Sequence, residues 1–407
     1  MSGIVQRYLA YTETERDKRL PALDGARVLF VLFVGAYHIW QQSWLTPVIR
    51  ISGHIISLDP LLRSGYLWVD AMLLLSGFLL YWPCAEAVED GRPLPAIGAF
   101  YKRRLLRIVP SYYLCVLLML FLVALPNGSY RLQDGTLNTG RMLRDLAAHA
   151  TFTHNLFAFS YTGSPLNGAL WTLGVEMQFY LLFPFIARLF RRWPAFTWLL
   201  MTAAAFIYRG WVKTLPDTTL YFNQLPAMLD VYANGMAAAA IYSALKRRMK
   251  QDKWTASLFT VILCIAVCGL RLLVKTQASI TGYENIRMGQ MTHRFPLSVL
   301  TALSLLGVLY GIRPLRLLLG NRATAVLAAI SYQFYMYHQP LAVQLKAWGI
   351  PASVSPSPWM SGERSWQILY TVLCFAGALA ISALITYAFE RPIVRLGRGK
   401  KPRRRKA

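Results

Sequence analysis

Long apolar segments separated by short polar or basic stretches run through most of the chain. Crossing a bilayer as a helix takes about 20 mainly apolar residues, and ten segments approach or exceed that length. The predicted spans are 26–46, 66–86, 108–126, 169–190, 194–210, 224–245, 255–274, 295–312, 323–345 and 366–389. The pattern therefore predicts an all-α fold, a polytopic membrane protein of about ten transmembrane helices.

Composition agrees with a membrane protein. Of the 407 residues, 56% are hydrophobic and only 15% are charged, whereas a soluble domain usually has about a quarter charged residues. The first 20 residues are polar and no small-residue cleavage site follows the first apolar run, so that run is predicted to stay as a helix. The five cysteines lie in or beside apolar segments, which argues against a disulfide framework or a metal site.

The basic residues define the predicted orientation. A net charge of +25 would suggest nucleic acid in a soluble protein. With the N-terminus inside, however, 29 of the 43 Lys and Arg residues fall in inner segments and 13 in the longer outer ones. Cytoplasmic loops carry this excess in membrane proteins. We therefore expect both termini in the cytoplasm, no nucleic-acid partner, and a basic cytoplasmic tail at 391–407 held near anionic lipid headgroups.

Ionisable side chains inside predicted spans are costly and are the first functional candidates. Arg27 and His38 lie eleven residues apart in the first span. At 3.6 residues per turn they share one helical face, about 16 Å apart along the axis. Glu176 lies inside the fourth span, where an unpaired carboxylate would be costly. The open alternatives are a histidine that only hydrogen-bonds a neighbouring helix and an arginine that extends to the inner headgroups.

A basic stretch, FYKRRLLRIVP, precedes the third span. It contains Arg103, Arg104 and Arg107, and the last two are spaced i, i+3 on one helical face. Guanidinium groups bind phosphate oxygens bidentately, so this stretch is a candidate phosphate clamp. Anchoring of the cytoplasmic end of the span is the alternative.

Four further polar or aromatic residues are weaker candidates for lining or orienting a polar site inside the bundle. Asp70 in span two is expected to have a structural role, and Ser76-Gly77 beside it is typical of close helix packing. At the start of span four, Asn167 and Trp171 could border a cavity or belong to the interfacial aromatic belt. His338 in span nine precedes a proline that loosens the helix. A histidine that packs within the bundle is the alternative there.

Six blocks together resemble the membrane acyltransferase-3 family. They are RLPALDGARVLFVLFVGAYH, SGYLWVDAMLLLSGFLL, FYKRRLLRIVP, NGALWTLGVEMQFYLLFP, ISYQFYMYHQPL and YAFERPIVRL, in the family's order. The resemblance implies a ten-helix core in the cell membrane. It also implies transfer of an acyl group, commonly acetyl, from cytoplasmic acyl-coenzyme A to a hydroxyl of a carbohydrate or related acceptor. Acyl-CoA would be a co-substrate, with no permanently bound cofactor.

Family roles carry over residue by residue. His38 matches the proposed catalytic base, and Arg27 its partner in the same helix; Arg104 and Arg107 match the pair linked to donor binding. Glu176 matches the glutamate of the fourth-span motif and is a second catalytic candidate, which could orient the imidazolium or the acceptor. Arg27 and Arg103 are predicted to bind the donor with that pair, and the acceptor-side or orienting candidates are Asp70, Asn167, Trp171 and His338. The chain departs from the family where Met177 replaces a second acidic residue and where Tyr337 and Gln339 stand in place of tryptophan. No fused esterase-like domain is expected.

The resulting domain prediction is a cytoplasmic segment at 1–25, a membrane acyltransferase domain at 26–390, and the basic tail. A transporter or flippase of lipid-linked sugars could use the same charged cavity without chemistry, and a sensor derived from an acyltransferase core is a third possibility. The simultaneous presence of the arginines, His38 and Glu176 favours an enzyme, because transport alone does not require that set.

Overall fold

The structure is a computed structural model that describes residues 20–51 and 54–397. Ten long helices, labelled α1 to α10, form the bundle. Their bounds are Pro21–Ser43, Trp68–Glu89, Ile97–Met119, Trp171–Arg192, Pro194–Val212, Leu229–Arg248, Lys253–Ala278, Tyr283–Tyr310, Arg322–Ala347 and Arg364–Ile385. The polytopic all-α prediction is confirmed. Residues 1–19 of the predicted N-terminal segment and 398–407 of the predicted tail lie outside the described residues.

Eight of these helices in the described chain are long and apolar enough to cross a membrane: α1 to α5, α7, α8 and α10. The other two predicted spans are also helices. With 20 and 26 residues, α6 and α9 are about 30 and about 39 Å long, which matches a hydrocarbon core of about 30 Å. They are less apolar because many of their residues face other helices rather than lipid.

Helix α3 begins at Ile97, eleven residues before the predicted start of span three. Its first turns are basic, so hydropathy alone places the boundary too late. The helix continues through Pro110 and ends in a π-helical turn, Leu120–Ala124. Arg103, Arg104 and Arg107 therefore lie on a regular helix, which fixes their relative directions.

The connections carry short elements that the apolar pattern did not predict. After α1, β1 (Val48–Ile51) pairs antiparallel with β2 (His54–Ser57), and Val48 lies opposite Ser57. The connection from α3 to α4 contains a twelve-residue helix, Thr139–Ala150. The remaining short helices are Asp59–Arg63, Gly65–Leu67, His154–Leu156, Ala158–Tyr161, Gly168–Leu170, Leu225–Met228, Arg313–Leu319, Pro358–Ser361 and Arg391–Gly397, with a π turn at Thr386–Glu390.

Helices α2 and α6 pack backbone against backbone at the centre of the bundle. A Cβ added to Gly235 would lie 2.2 Å from the Leu74 carbonyl oxygen, and one added to Gly77 would lie 2.7 Å from that of Tyr232. Small residues allow such close approach between membrane helices. The interpretation of the Ser76-Gly77 pair as a packing site therefore agrees with the structure. This contact holds α2, which lines the site described below, against the interior.

We expect Gly235→Ala to destabilise the protein by about 1 to 3 kcal/mol, because the methyl group overlaps backbone atoms that cannot move independently. The thermal unfolding midpoint in detergent measures this effect. Gly210→Ala in α5 is the matched control, since a Cβ there meets nothing within 4 Å and alanine favours helix. Equal midpoints for both variants would show that the α2–α6 contact is not tightly packed.

Candidate active site

A cavity of about 110 Å³, here called the inner cavity, is enclosed by α1, α2, α3, α4 and α9. It has room for several water molecules. Its charged lining consists of residues singled out from the sequence: Arg27, Arg104, Arg107 and Glu176. These residues come from three different helices, so the fold brings together side chains up to 149 positions apart in sequence. Three cations and one carboxylate give the cavity an affinity for anions.

Glu176 is held by two hydroxyl groups. Ser76 Oγ donates a hydrogen bond to Glu176 Oε1 at 2.9 Å, and the hydroxyl of Tyr180, one helical turn along α4, donates to the same oxygen. Hydrogen bonds to a carboxylate offset much of the cost of placing it inside a bundle. Glu176 therefore has a fixed position in the cavity wall beside the arginines.

Arg104 lies against two aromatic rings. Its guanidinium carbon is 5.9 Å from the ring centroid of Phe100 and 5.6 Å from that of Tyr180. Such cation–π contacts stabilise a partly desolvated cation. Because Tyr180 also bonds Glu176, one tyrosine connects the arginine of α3 to the glutamate of α4. The sequence analysis did not single out Tyr180, although its i, i+4 spacing from Glu176 was a usable signal.

A second cavity, here called the mouth cavity, adjoins the inner one at Arg104 and Leu80, which line both. Arg103 lines the mouth cavity and not the inner one. The predicted basic clamp is thus divided between two spaces: Arg103 belongs to the mouth cavity, Arg107 to the inner cavity, and Arg104 to the junction.

His38 lies on α1 two turns beyond Val31, the last residue of that helix to line the inner cavity. This corresponds to about 10 Å along the axis. Its Nδ1 lies 2.9 Å from Gln41 Oε1, and Gln41 Nε2 donates to the Tyr37 hydroxyl at 2.9 Å. This orientation of the glutamine amide puts the imidazole proton on Nδ1 and leaves the Nε2 lone pair open.

His338 is the closest histidine partner of His38. Their ring centroids are 5.3 Å apart. His338 is fully buried, its Nδ1 donates to the Phe334 carbonyl oxygen at 2.9 Å, and its Nε2 has no hydrogen-bond partner in the structure. Two imidazoles with open Nε2 atoms therefore lie side by side, at the same depth on α1 and α9. The sequence identified each histidine separately and did not predict the pair.

Tyr335 connects the inner cavity to this histidine pair. It lines the cavity, and its ring centroid is 5.8 Å from that of His338. The Tyr335 hydroxyl accepts a hydrogen bond from Thr172 Oγ1 at 2.9 Å, across α4 and α9. Tyr335 therefore belongs to the cavity wall and also contacts one member of the histidine pair.

Asp70 lines neither cavity, although the preceding residue, Val69, lines the inner one. It forms a buried ion pair with Arg294 of α8, with Nε–Oδ distances of 3.1 and 3.2 Å and both side chains fully buried. Arg294 also donates to the Phe222 carbonyl oxygen at 2.9 Å and to Asn223 Oδ1 at 3.1 Å. These contacts support the structural role expected for Asp70 and give no support to a role beside the acceptor.

Asn167 and Trp171 frame the start of α4. Asn167 Oδ1 accepts from the backbone of Ala169 at 3.0 Å, while its Nδ2 donates to the Met336 carbonyl oxygen at 2.7 Å. Asn167 therefore ties the beginning of α4 to α9 two residues before His338. Trp171 is half-buried and packs on the apolar core. Neither residue lines the inner or mouth cavity.

A buried polar cluster in the connection before α4 was missed by the sequence analysis. Asp145 accepts hydrogen bonds from Ser160, Tyr130 and Ser164 at 2.5, 2.5 and 2.7 Å. The hydrogen bonds from these hydroxyls and from His149 hold the pKa of the Asp145 carboxyl below its usual range. His149 and His154 stack at 4.4 Å, and burial together with the neighbouring His149 lowers the pKa of His154 to about 3. The cluster is a fold-stabilising feature of this connection.

A family model described as an acyltransferase domain matches residues 20–387. The O-acetyltransferase OatA of Staphylococcus aureus strain NCTC 8325 / PS 47 is 28% identical over 177 residues, which are 41% of this chain and 24% of that protein. A protein of S. aureus strain COL, provisionally named an O-acetyltransferase, is 27% identical over 184 residues, 43% of this chain and 26% of its own length.

The aligned part thus spans about a quarter of the length of those relatives. No solved structure gives a significant match. The family model, by contrast, covers nearly the whole described bundle, including Arg27, His38, the α3 arginines, Glu176 and His338. The matched range contains the second to fifth sequence blocks and all but the first residue of the first block. The sixth block, at 387–396, follows the end of α10 and shares only its first residue with the match. The chain is a multi-pass membrane protein and belongs to the acyltransferase-domain family.

Proposed function

We propose that the protein transfers an acyl group, commonly acetyl, from cytoplasmic acyl-coenzyme A to a hydroxyl of a carbohydrate or related acceptor at the cell membrane. The observation that carries this proposal is the composition of the inner cavity. Three arginines and Glu176 line it, and Tyr335 of the same lining contacts His338. His338 lies beside His38, and both imidazoles have open Nε2 atoms. The domain that performs the reaction would be 26–390, close to the 20–387 that the family model matches.

In the proposed reaction, His38 Nε2 removes the proton of the acceptor hydroxyl. A lone pair on the acceptor oxygen then attacks the thioester carbonyl carbon. The carbon–sulfur bond breaks, and the thiolate leaves and takes up the proton from His38. A neutral imidazole suits this exchange, because its unprotonated nitrogen can accept a proton and later return it. Gln41 supports the role by fixing the ring with its proton on Nδ1.

The arginines would bind and guide the donor. Arg104 and Arg107 face the inner cavity and can contact phosphate or thioester oxygens by charge-assisted hydrogen bonds. Arg27 lines the inner cavity from the helix that also carries His38. Its proposed role is to contact the donor on the side of the cavity formed by that helix. Glu176 lies with the arginines rather than with His38, and its proposed role is to hold the cavity wall through Ser76 and Tyr180.

The deciding experiment is release of free thiol from acetyl-CoA by purified protein in detergent, with and without a mixture of methyl glycosides as acceptor. Acceptor-dependent release supports acyl transfer. A transporter or flippase would use the same cavity without breaking the thioester, so acetyl-CoA that stays intact would favour that alternative. The matched control is protein carrying His38→Ala.

We expect Arg104→Ala and Arg107→Ala each to weaken acetyl-CoA binding by tenfold or more, because each removes a charge-assisted contact of about 1.5 to 3 kcal/mol. The rate at saturating donor should change less. Donor titration of the purified variants measures both quantities. Lys102→Ala is the control, since Lys102 is exposed on the same helix and lines neither cavity. Unchanged titration curves for both arginine variants would remove the proposed clamp.

A further inference from the structure

The residues that line the mouth cavity have no part in the reaction proposed at His38. Its volume is about 110 Å³, and three guanidinium groups line it: Arg103, Arg104 and Arg188. Two aromatic rings, those of Phe100 and Phe183, form part of the wall. No Asp or Glu of the described chain belongs to this lining. The cavity is therefore cationic and partly aromatic, with no carboxylate to neutralise its charge.

Arg188 lines the mouth cavity from α4, whereas Arg103 and Arg104 line it from α3. Its one hydrogen bond in the described chain is from Nη1 to the Pro184 carbonyl oxygen at 3.4 Å. The other guanidinium donors remain available for a ligand. Cations are common near helix C-termini and at cytoplasmic helix ends, and Arg191 and Arg192 fit that explanation. Neither of those two lines the cavity, and Arg192 stacks 4.6 Å from the Trp193 ring.

The chemistry of this lining selects a particular kind of ligand. Guanidinium groups from two helices that line one cavity suit phosphate groups, which they bind bidentately. The rings of Phe100 and Phe183, which pack with centroids 5.1 Å apart, give the same wall an apolar surface against which a base can pack. A molecule with phosphates at one end, a base beside them and a long uncharged arm would fill the mouth and pass Arg104 into the inner cavity.

We propose that the mouth cavity binds the nucleotide end of the acyl donor and that Arg188 supplies one of its phosphate contacts. This inference rests on the proposed function, since it takes acyl-coenzyme A as the donor. The nucleotide stays in the mouth cavity, the pantetheine arm passes the junction at Arg104, and the thioester reaches the inner cavity. Arg188 is thus a donor-binding residue on α4, outside the basic stretch of α3.

The test compares two ligands on purified protein carrying Arg188→Gln: coenzyme A and pantetheine, which lacks the nucleotide. We expect the Kd for coenzyme A to rise about tenfold, as the loss of one charge-assisted contact predicts, and the Kd for pantetheine to stay unchanged. Arg188 is exposed at the end of its helix, so the variant should fold; its thermal midpoint checks this.

Arg192→Gln is the matched control, because it removes the same charge from the same helix end without altering the cavity. Equal weakening by both variants would indicate general attraction of an anion and would overturn the inference. Unchanged coenzyme A binding by Arg188→Gln, with weaker binding by Arg104→Ala, would also overturn it while leaving the proposed function in place. Wild-type protein that binds no coenzyme A would contradict the proposed function itself.

Discussion

His38→Ala is expected to lower the rate of acyl transfer by about 10²- to 10⁴-fold, the usual contribution of a general base. The imidazole is the group on α1 that can accept a proton at the depth of the histidine pair, and alanine leaves nothing to replace it. Thiol release from acetyl-CoA measures the rate, while donor titration shows whether binding survives. Arg27 lies about 16 Å from His38 along α1, and the α3 arginines line the inner cavity, which His38 does not, so donor affinity should change little.

The matched control for this prediction is His54→Ala. His54 is exposed on the β-hairpin after α1, so its loss should leave transfer unchanged. Size-exclusion elution and the thermal midpoint establish that both variants remain folded. Near-normal transfer by His38→Ala would contradict the proposed base, and the other member of the pair, His338, would then be the first residue to test.

Asp70→Asn is expected to destabilise the protein by about 3 to 5 kcal/mol, because it leaves the buried Arg294 guanidinium without its counter-charge. Arg294 would retain neutral partners, the Phe222 carbonyl and Asn223, but these do not balance a buried cation. Asp70 and Arg294 connect α2 to α8, so the loss should also weaken contacts between these helices. Thermal unfolding in detergent provides the measurement.

An exposed pair of the same residue types supplies the comparison. Arg63 and Asp59 interact at 3.2 Å with side chains 44% and 23% exposed, and such pairs contribute about 0 to 1 kcal/mol. Asp59→Asn should therefore shift the unfolding midpoint little. A second control replaces both buried partners, Asp70→Leu with Arg294→Met, and should recover much of the loss. Equal midpoints for Asp70→Asn and Asp59→Asn would show that the buried charges are solvated.

Local patterns in the sequence were sufficient to predict the helices of the bundle. Each of the ten predicted spans overlaps one long helix. The two largest boundary errors, at the starts of α3 and α8, arose where a helix begins with polar and charged residues rather than apolar ones. The hydropathy signal for a membrane span is weakest for α6 and α9, because a helix surrounded by other helices need not be apolar on every face. The hairpin after α1 has no apolar alternation long enough to predict it.

The composition of the site could be predicted only in part. The spacing of Arg27 and His38 on one helix, and that of Arg104 and Arg107 on another, is a local property. Partners distant in sequence are not: Asp70 pairs with a residue 224 positions away, and Ser76 bonds a glutamate 100 positions away. The cost of a buried charge predicts that a partner exists, but the identity of that partner depends on helix packing.

The position of Arg104 between the two cavities also affects how easily ions could cross the membrane through the bundle. An enzyme that admits a large cytoplasmic substrate into a bundle opens an aqueous path part of the way across the bilayer. A fixed positive charge at the junction between the mouth and inner cavities repels cations, as arginines do in the narrow parts of selective pores. On the proposed function, this charge would let the bundle admit an anionic donor from one side while opposing the passage of protons or sodium ions down their gradients.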